Sequence, residues 1–394
     1  MPNPPPQRLV FLDGLRIFAF GLLVVYHVGM YYVGWAWHVK SPLAGSVGSS
    51  LEPWMRLSSP WRMSLLFLVS GAATGFMLQR AGASGTLLRS RAGRLLMPLL
   101  LGALAIVPPQ SYFEVRERFG YAGSYLEFMT LYLSGGSPEF CAAPGQRCLI
   151  LPTWNHLWFL PYLLAYTALL WLLLRRAPRA LDAAAARLPA LLCGGRLLAL
   201  PIAWLCLARL TLRDAFPVSH ALVDDVFAHA QYLPIFVLGA VLARSGALWQ
   251  RIAGLRWWGL AATLVAWALW IVADGAARWS WVPISVMQWC GIVAAVGFAQ
   301  RHCTRDSRLL RTLTDAVFPV YILHQTIIIL LAVALRPLAL PAALEAPGLI
   351  GATFALSFIG YLLVRRVPWL RPWFGLSAPQ GADPSLRAAV RGSQ

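Results

Sequence analysis

Long apolar stretches separated by short basic loops dominate the pattern of this chain. An apolar stretch of about 20 residues is long enough to cross the hydrocarbon core of a bilayer as a helix. Such stretches occur along the whole sequence, near residues 9–34, 61–79, 95–113, 156–174, 190–208, 230–243, 257–273, 282–299, 314–335 and 348–364. The pattern therefore predicts an all-α polytopic membrane protein with about ten transmembrane helices.

Three segments deviate from a simple apolar span. The sixth stretch is short and contains Pro234, and residues 114–133 are mixed and aromatic, which is typical of an interfacial or re-entrant helix. Asp13 and Arg16 interrupt the first stretch. Because the apolar core of a cleavable signal peptide is uninterrupted, we expect the first stretch to remain in the protein.

The composition agrees with a membrane protein and predicts its orientation. Of the 394 residues, 59% are hydrophobic and 12% are charged, whereas soluble domains carry about 25% charged residues. The net charge of +18 does not indicate nucleic-acid binding, because the basic residues sit in short loops between apolar stretches. Of the 33 basic residues, 22 fall on one side of the membrane, which predicts that both termini are cytoplasmic.

We predict one membrane domain over residues 1–375 and a short, disordered cytoplasmic tail over residues 376–394. All basic residues except Lys40 are arginines. This bias is typical of a GC-rich genome, so we expect the cell to be a bacterium and the membrane to be its inner membrane. The sequence leaves the oligomeric state open.

The cysteines do not indicate a metal site, because no metal-ligand spacing is present. Cys141 and Cys148 lie in the loop CAAPGQRC, where they form a disulfide or stay as thiols; spacing alone leaves both alternatives open. A disulfide requires the loop to face an oxidising periplasm. The four other cysteines are expected to be inert thiols.

The first apolar stretch contains three ionisable residues, Asp13, Arg16 and His27. Arg16 and His27 are eleven positions apart, which is three helical turns plus about 20°, so they share a face and are separated by ~16 Å along the axis. Asp13 precedes Arg16 by three positions and can pair with it. Because charged groups are costly inside a bilayer, this face is expected to line a polar cavity.

Each residue also has a simpler interpretation. Arg16 could extend to the cytoplasmic interface, and His27 could hydrogen-bond to a neighbouring helix. Their common face favours function instead. A histidine with a pKa near neutral can take the proton of a hydroxyl, and an arginine can hold a phosphate or a carboxylate.

Five segments resemble, in order, the acyltransferase family 3 membrane proteins. The opening LDGLRIFAFGLLVVYH resembles the family signature, in which an arginine and a histidine are separated by ten residues. The others are SLLFLVSGAATGF at 64–76, RSRAGRLLMP at 89–98, NHLWFLPYLL at 155–164 and PVYILHQTII at 319–328. Within the family, YHVGMYYVGWAWHVKSP and WRMSLLFLVSG look most like glucan biosynthesis protein C, which is associated with succinylation of periplasmic glucans.

The resemblance implies transfer of an acyl group, such as succinyl or acetyl, from cytoplasmic acyl-coenzyme A to a hydroxyl of an extracytoplasmic carbohydrate. Acyl-coenzyme A is then a co-substrate, and no bound cofactor is expected. By resemblance His27 is the general base, with a transient acyl-histidine as the alternative. Arg16, supported by Asp13, orients the donor or stabilises developing negative charge.

The remaining candidates carry two interpretations each. Arg89, Arg91 and Arg94 bind coenzyme A phosphates at the cytoplasmic mouth or are ordinary topology signals. Ser70, beside Gly71, is expected to allow close helix approach rather than to take part in chemistry.

Four aromatic candidates have similar alternatives. His324 polarises a substrate or bonds across helices. Trp158, with Trp154, forms a sugar or acyl wall or anchors the chain at the interface. His38 faces the acceptor or is a solvated loop histidine.

A secondary transporter or flippase is the rival function, because buried charges also mark ion pathways. The chain shows no inverted repeat and no matched pair of broken helices, which are typical of transporters. A sensor or scaffold has no supporting feature. The sequence therefore favours an enzyme.

Overall fold

The computed structural model describes residues 9–135, 140, 148–272 and 278–377. Helices dominate these ranges, which contain no β-strand. The α-helices of the described residues are α1 (Val10–Tyr32), α2 (Ala44–Ala81), α3 (Gly85–Leu101), α4 (Pro108–Phe119), α5 (Tyr125–Ser134), α6 (Phe159–Arg176), α7 (Ala180–Leu191), α8 (Arg196–Leu212), α9 (Val226–Leu242), α10 (Gly246–Gly254), α11 (Arg256–Val272), α12 (Trp281–His302), α13 (Arg308–Leu335) and α14 (Ala342–Arg366).

Six helices are long and apolar enough to cross a membrane, namely α1, α2, α12, α13, α14 and α6 together with the 3₁₀ turn before it. Three further spans are possible if each of three bent pairs is one span: α3 with α4 (42°), α7 with α8 (108°) and α9 with α10 (114°). The described chain is thus an all-helical membrane protein with six to nine candidate spans. The expected ten spans and the cytoplasmic termini stay predictions.

The difference from the predicted count has a structural origin. The stretches 190–208 and 230–243 belong to sharply bent pairs, and the described part of α11 comprises 17 residues. Residues 114–133, expected to be an interfacial or re-entrant helix, contain parts of two helices, separated at Gly120 by a left-handed residue (φ 66°). Hydropathy measures the apolar length of a stretch but not its bend, so it counts such pairs as straight spans.

The helices α2 and α9 approach each other closely. A Cβ atom at Gly71 would overlap the carbonyl oxygen of Phe236, and one at Gly239 would overlap that of Leu68. These two glycines let the backbones approach as in other membrane helix pairs. The packing role expected beside Ser70 thus belongs to Gly71, and Ser70 is half-buried next to it.

The cysteine expectations fall partly on the described chain. Cys148 is disulfide-bonded, but Cys141 lies outside the described residues, so the pairing of these two cysteines stays a prediction. The four other cysteines are free: Cys193, Cys206, Cys290 and Cys303. Residues 378–394 also lie outside the described residues, and the disorder of the tail stays a prediction.

Candidate active site

Two histidines from different helices form a hydrogen-bonded pair. Nδ1 of His27 on α1 lies 2.8 Å from Nε2 of His324 on α13. The two rings are nearly parallel, with their centroids 5.0 Å apart. Nδ1 of His324 lies 2.6 Å from the carbonyl oxygen of Tyr321. Apolar packing between α1 and α13 fixes this arrangement, because Val24 and Val28 share a buried cluster with Ile328.

The carbonyl determines where the protons lie in this pair. A carbonyl oxygen only accepts hydrogen bonds, so His324 donates from Nδ1 and, as a neutral ring, accepts at Nε2. His27 must then donate from Nδ1, which leaves its lone pair on Nε2. The pair therefore presents an unprotonated imidazole nitrogen, the form that a general base needs.

His156 is a third histidine of the site that the sequence did not single out. It lies in the 3₁₀ turn Asn155–Trp158 before α6, with its ring centroid 5.1 Å from that of His324. Its Nε2 donates to the carbonyl oxygen of Ile322 (3.1 Å), and its Nδ1 accepts from the side-chain amide of Gln110 (3.3 Å). Its neighbours occupy both ring nitrogens, so His156 supports the pair rather than acting as a base.

His38 is held by a short hydrogen bond to a buried carboxylate and is not a solvated loop residue. Its Nδ1 lies 2.5 Å from Oε2 of Glu114 on α4, and Arg118 binds the other oxygen of that carboxylate at 2.5 Å. The side-chain amide of Gln325 donates to its Nε2 at 2.8 Å. Gln325 follows His324 directly, so α13 contacts both His27 and His38.

Lys40 fixes the segment that carries His38. Its ammonium group donates to the carbonyl oxygens of Met30 (2.8 Å) and Val33 (2.7 Å) and contacts that of Trp35, at the end of α1. Burial lowers the pKa of Lys40 to about 8, and the carboxylate of Glu117 opposes this shift. The segment after α1 is therefore tied to the helix that carries His27.

A cavity of about 350 Å³ opens beside these histidines. Its walls combine imidazoles, indoles, hydroxyls and amides, contributed by Tyr26, His27, Met30, Ala36, Trp37, His38, Thr153, Trp154, Asn155, His156, Trp158, Ser219, His220 and Gln325. Aromatic faces with a few placed polar groups are typical of a small-molecule site. A larger groove of about 420 Å³, lined almost entirely by apolar side chains of α1, α2, α11 and α12, is a separate pocket that His27 does not line.

The loop between α8 and α9 forms one wall of the cavity. The His220 ring stacks on Trp158 at 4.1 Å, and its backbone is left-handed (φ 57°), which is uncommon for a residue other than glycine. The buried carboxylate of Asp225 accepts from the His220 amide (3.0 Å) and from the Tyr162 hydroxyl (2.6 Å). Burial lowers the pKa of His220, against the effect of Asp225, and so favours the neutral form of this ring.

Arg16 lies apart from His27, in a basic cluster at the predicted cytoplasmic end. The side chains of Arg16, Arg91 and Arg94 are close enough to interact electrostatically. Asp13 is close enough to interact electrostatically with Arg16. Arg94 donates to the carbonyl oxygen of Gly375 (3.1 Å), and the buried Nε of Arg91 has no hydrogen-bond partner among the described residues.

Arg89 lies outside the basic cluster because of its position on α3. It is exposed on α3, and two helical positions separate it from Arg91, a rotation of about 200°. The structure thus brings Arg16, Arg91 and Arg94 together, separates them from Arg89, and leaves His27 ~16 Å away along α1.

Several site residues were not predicted from the sequence. His156 and Gln325 lie inside segments that carry the family resemblance, which is a weak signal. Glu114 and Gln110 lie in α4, and Asp225 precedes α9. No spacing connects these residues to His27, because they reach the site through tertiary packing.

Comparison with known proteins identifies the family. A family model described as an acyltransferase domain, from the family whose resemblance was noted above, matches residues 9–362. No curated protein and no solved structure matches the chain. The family match covers nearly the whole chain, so the protein belongs to this family of acyltransferases and is an enzyme that transfers acyl groups other than aminoacyl groups.

Proposed function

We propose that this membrane acyltransferase moves an acyl group from cytoplasmic acyl-coenzyme A to a hydroxyl of an extracytoplasmic carbohydrate. One observation carries the proposal: His27 lines a cavity walled by indole rings, and its hydrogen bond to His324 leaves Nε2 free to accept a proton. A hydroxyl is a weak nucleophile near neutral pH, and such a base is what its transfer chemistry requires.

The reaction proceeds by direct attack. The acceptor hydroxyl gives its proton to Nε2 of His27 while its oxygen attacks the carbonyl carbon of the thioester, whose electron pair moves onto oxygen. The tetrahedral intermediate then collapses, re-forms the carbonyl and breaks the carbon–sulfur bond. The leaving thiolate takes the proton from His27, which restores the neutral pair with His324.

The basic cluster is suited to the donor. Arginines bind phosphates through charge-assisted hydrogen bonds, and Arg16, Arg91 and Arg94 lie together. The rise of α1 separates Arg16 from His27 by ~16 Å. An extended pantetheine arm can bridge this distance, so the phosphates would stay at the cytoplasmic end while the thioester reaches His27. The donor is a co-substrate here and not a resident cofactor.

The cavity is suited to a sugar. Trp154, Trp158 and His220 offer flat aromatic faces, while Asn155 and Gln325 offer amides for hydroxyl groups. Following the sequence resemblance, we propose a succinyl or acetyl group as cargo and a periplasmic glucan as acceptor, in a bacterial inner membrane. The rival transporter hypothesis gains no support from the family match.

Mass spectrometry of periplasmic glycans tests this function. Cells lacking the gene should lose one defined mass increment, which names the acyl group and the acceptor, and the wild-type gene should restore it. His27→Asn keeps the size and some hydrogen bonding but cannot take the proton, so it should not restore the increment; a general base contributes about 10²–10⁴-fold. Equal restoration by His27→Asn, at equal expression, would contradict the assigned base.

A further inference from the structure

Arg62 is a buried cation that contacts Tyr26 and keeps two nitrogen donors unused in the described part of the chain. It lies on α2 with only 6% of its surface exposed. Its Nε and Nη1 atoms are buried and have no hydrogen-bond partner among the described residues. Its guanidinium carbon lies 3.4 Å from the centroid of the Tyr26 ring. A buried charge with unused donors is costly. Its presence on α2 therefore indicates that a ligand brings a negative charge to Arg62.

Arg209 shows how the same bundle treats a structural arginine. It is also 6% exposed. Its guanidinium donates to Ser285 Oγ and Gln231 Oε1, both at 3.0 Å, and also contacts Gln288 Oε1. Side chains of α9 and α12 therefore satisfy Arg209 internally, while Arg62 keeps unused donors.

Arg62 also lies near the base. Tyr26 lines the cavity, and its ring centroid is 6.2 Å from that of His27. Together with the Arg62–Tyr26 contact, this places the guanidinium carbon within about 10 Å of the His27 ring. A reacting carbonyl between a base and an anion-stabilising group requires them to be ~8–9 Å apart, since a hydrogen bond to the base spans about 2.8 Å, and this upper limit allows such a separation.

The direction of approach favours this role. The Tyr26 hydroxyl donates to Ser59 Oγ at 3.4 Å, which aligns the two helices. Arg62 lies three residues further along α2, ~4.5 Å deeper toward the predicted cytoplasmic end. A thioester that arrives from that end would reach Arg62 before His27. Its carbonyl oxygen would therefore lie closer to Arg62 than the His27 ring does. Arg16, ~16 Å from His27, is too far to serve the same oxygen.

We propose that Arg62 supplies the positive charge that stabilises the oxyanion of the tetrahedral intermediate during acyl transfer. This rests on the proposed function. When the acceptor oxygen bonds to the carbonyl carbon, the carbonyl electron pair moves onto oxygen, and the charge of Arg62 stabilises it until the carbonyl re-forms and the thiolate leaves. A buried cation with unused nitrogen donors behind the cavity wall at Tyr26 suits this task, because a resident carboxylate would already neutralise it.

Steady-state kinetics of purified Arg62→Met, Arg62→Lys and the matched control Arg209→Met test the proposal, with acetyl-coenzyme A and succinyl-coenzyme A as donors. Arg62→Met should lower kcat about 10- to 100-fold with both donors and change the donor KM less than threefold. Arg62→Lys keeps the charge and should recover at least tenfold of that loss. The Tm of Arg62→Met should equal or exceed that of the wild type, whereas Arg209→Met should lower it.

Three outcomes overturn the assignment. A kcat within twofold of the wild type, together with a Tm loss like that of Arg209→Met, would make Arg62 structural. A loss confined to succinyl-coenzyme A would mean that Arg62 binds the free carboxylate of the acyl group. A failure of Arg62→Lys to recover activity, with an intact fold, would mean that charge is not what Arg62 provides. A wild-type enzyme inactive on both thioesters would instead overturn the proposed donor.

Discussion

At the scale of single residues, the spacing of Arg16 and His27 predicted a polar face on the first helix. The structure places His27 on a cavity but separates Arg16 from it. The role of His324 could not be derived from the sequence, because it depends on a backbone carbonyl of Tyr321 on the same helix and on packing against α1. A one-dimensional pattern contains residue types and spacings but not the hydrogen bonds that select a tautomer.

His324 provides a prediction at this scale. Asparagine can accept from His27 Nδ1–H through its carbonyl oxygen and donate from its amide, whereas leucine can do neither. His324→Leu should therefore lower kcat about 10²-fold or more by removing the orientation of the base, and His324→Asn should retain clearly more activity. The comparison uses kcat of purified, folded protein. Equal activity of the two variants would show that the hydrogen bond to His27 does not orient it.

At the scale of elements, hydropathy located the membrane-crossing part of a helix better than the helix itself. The stretch 61–79 is the C-terminal half of α2, which extends over Ala44–Ala81. Residues 44–60 are polar and contain Pro53, so a hydropathy window excludes them although the helix continues. The first and last predicted stretches, 9–34 and 348–364, agree more closely with α1 and α14.

The faces of α3 provide a prediction at this scale. Replacing both Arg91 and Arg94 with glutamate should raise the KM for acyl-coenzyme A at least tenfold, because two phosphate-binding charges become repulsive. Arg89→Glu is the matched control on the same helix, exposed on another face, and should change KM less than twofold. If the double variant and the control behave alike, the cluster serves membrane topology and not donor binding.

At the scale of the whole molecule, the membrane character and the enzyme class were predicted from the sequence. The family match confirms the class. The count of spans was less accessible, because bends of 108° and 114° at two helix pairs follow from tertiary packing. The residues of the outer cavity wall could not be predicted from the sequence either. The loop that carries His220 is held by a hydrogen bond to Asp225, which is remote from His27 in sequence.

The orientation of the molecule is testable with two cysteines on opposite sides of the span formed by α2. Ser46 and Thr86 are both exposed, one near the start of α2 and the other in the first turn of α3, which follows α2. In a variant without native cysteines, a membrane-impermeant maleimide should label Ser46→Cys in intact spheroplasts. It should label Thr86→Cys only after permeabilisation, because the positive-inside rule places the arginine-rich side in the cytoplasm. The opposite labelling pattern would reverse the molecule and place the basic cluster outside.

The distance between Arg16 and His27 has one more consequence. Both residues belong to α1, an uninterrupted helix, whose rise of ~1.5 Å per residue does not change with the bound substrate. In the proposed reaction, a donor would engage both Arg16 and His27 only if its anionic group and its acyl carbon were separated by the same distance. A short acyl phosphate, whose charge lies next to its carbonyl, would not satisfy this condition. The proposed site would then exclude, by length, activated acyl compounds that the chemistry at His27 alone would accept.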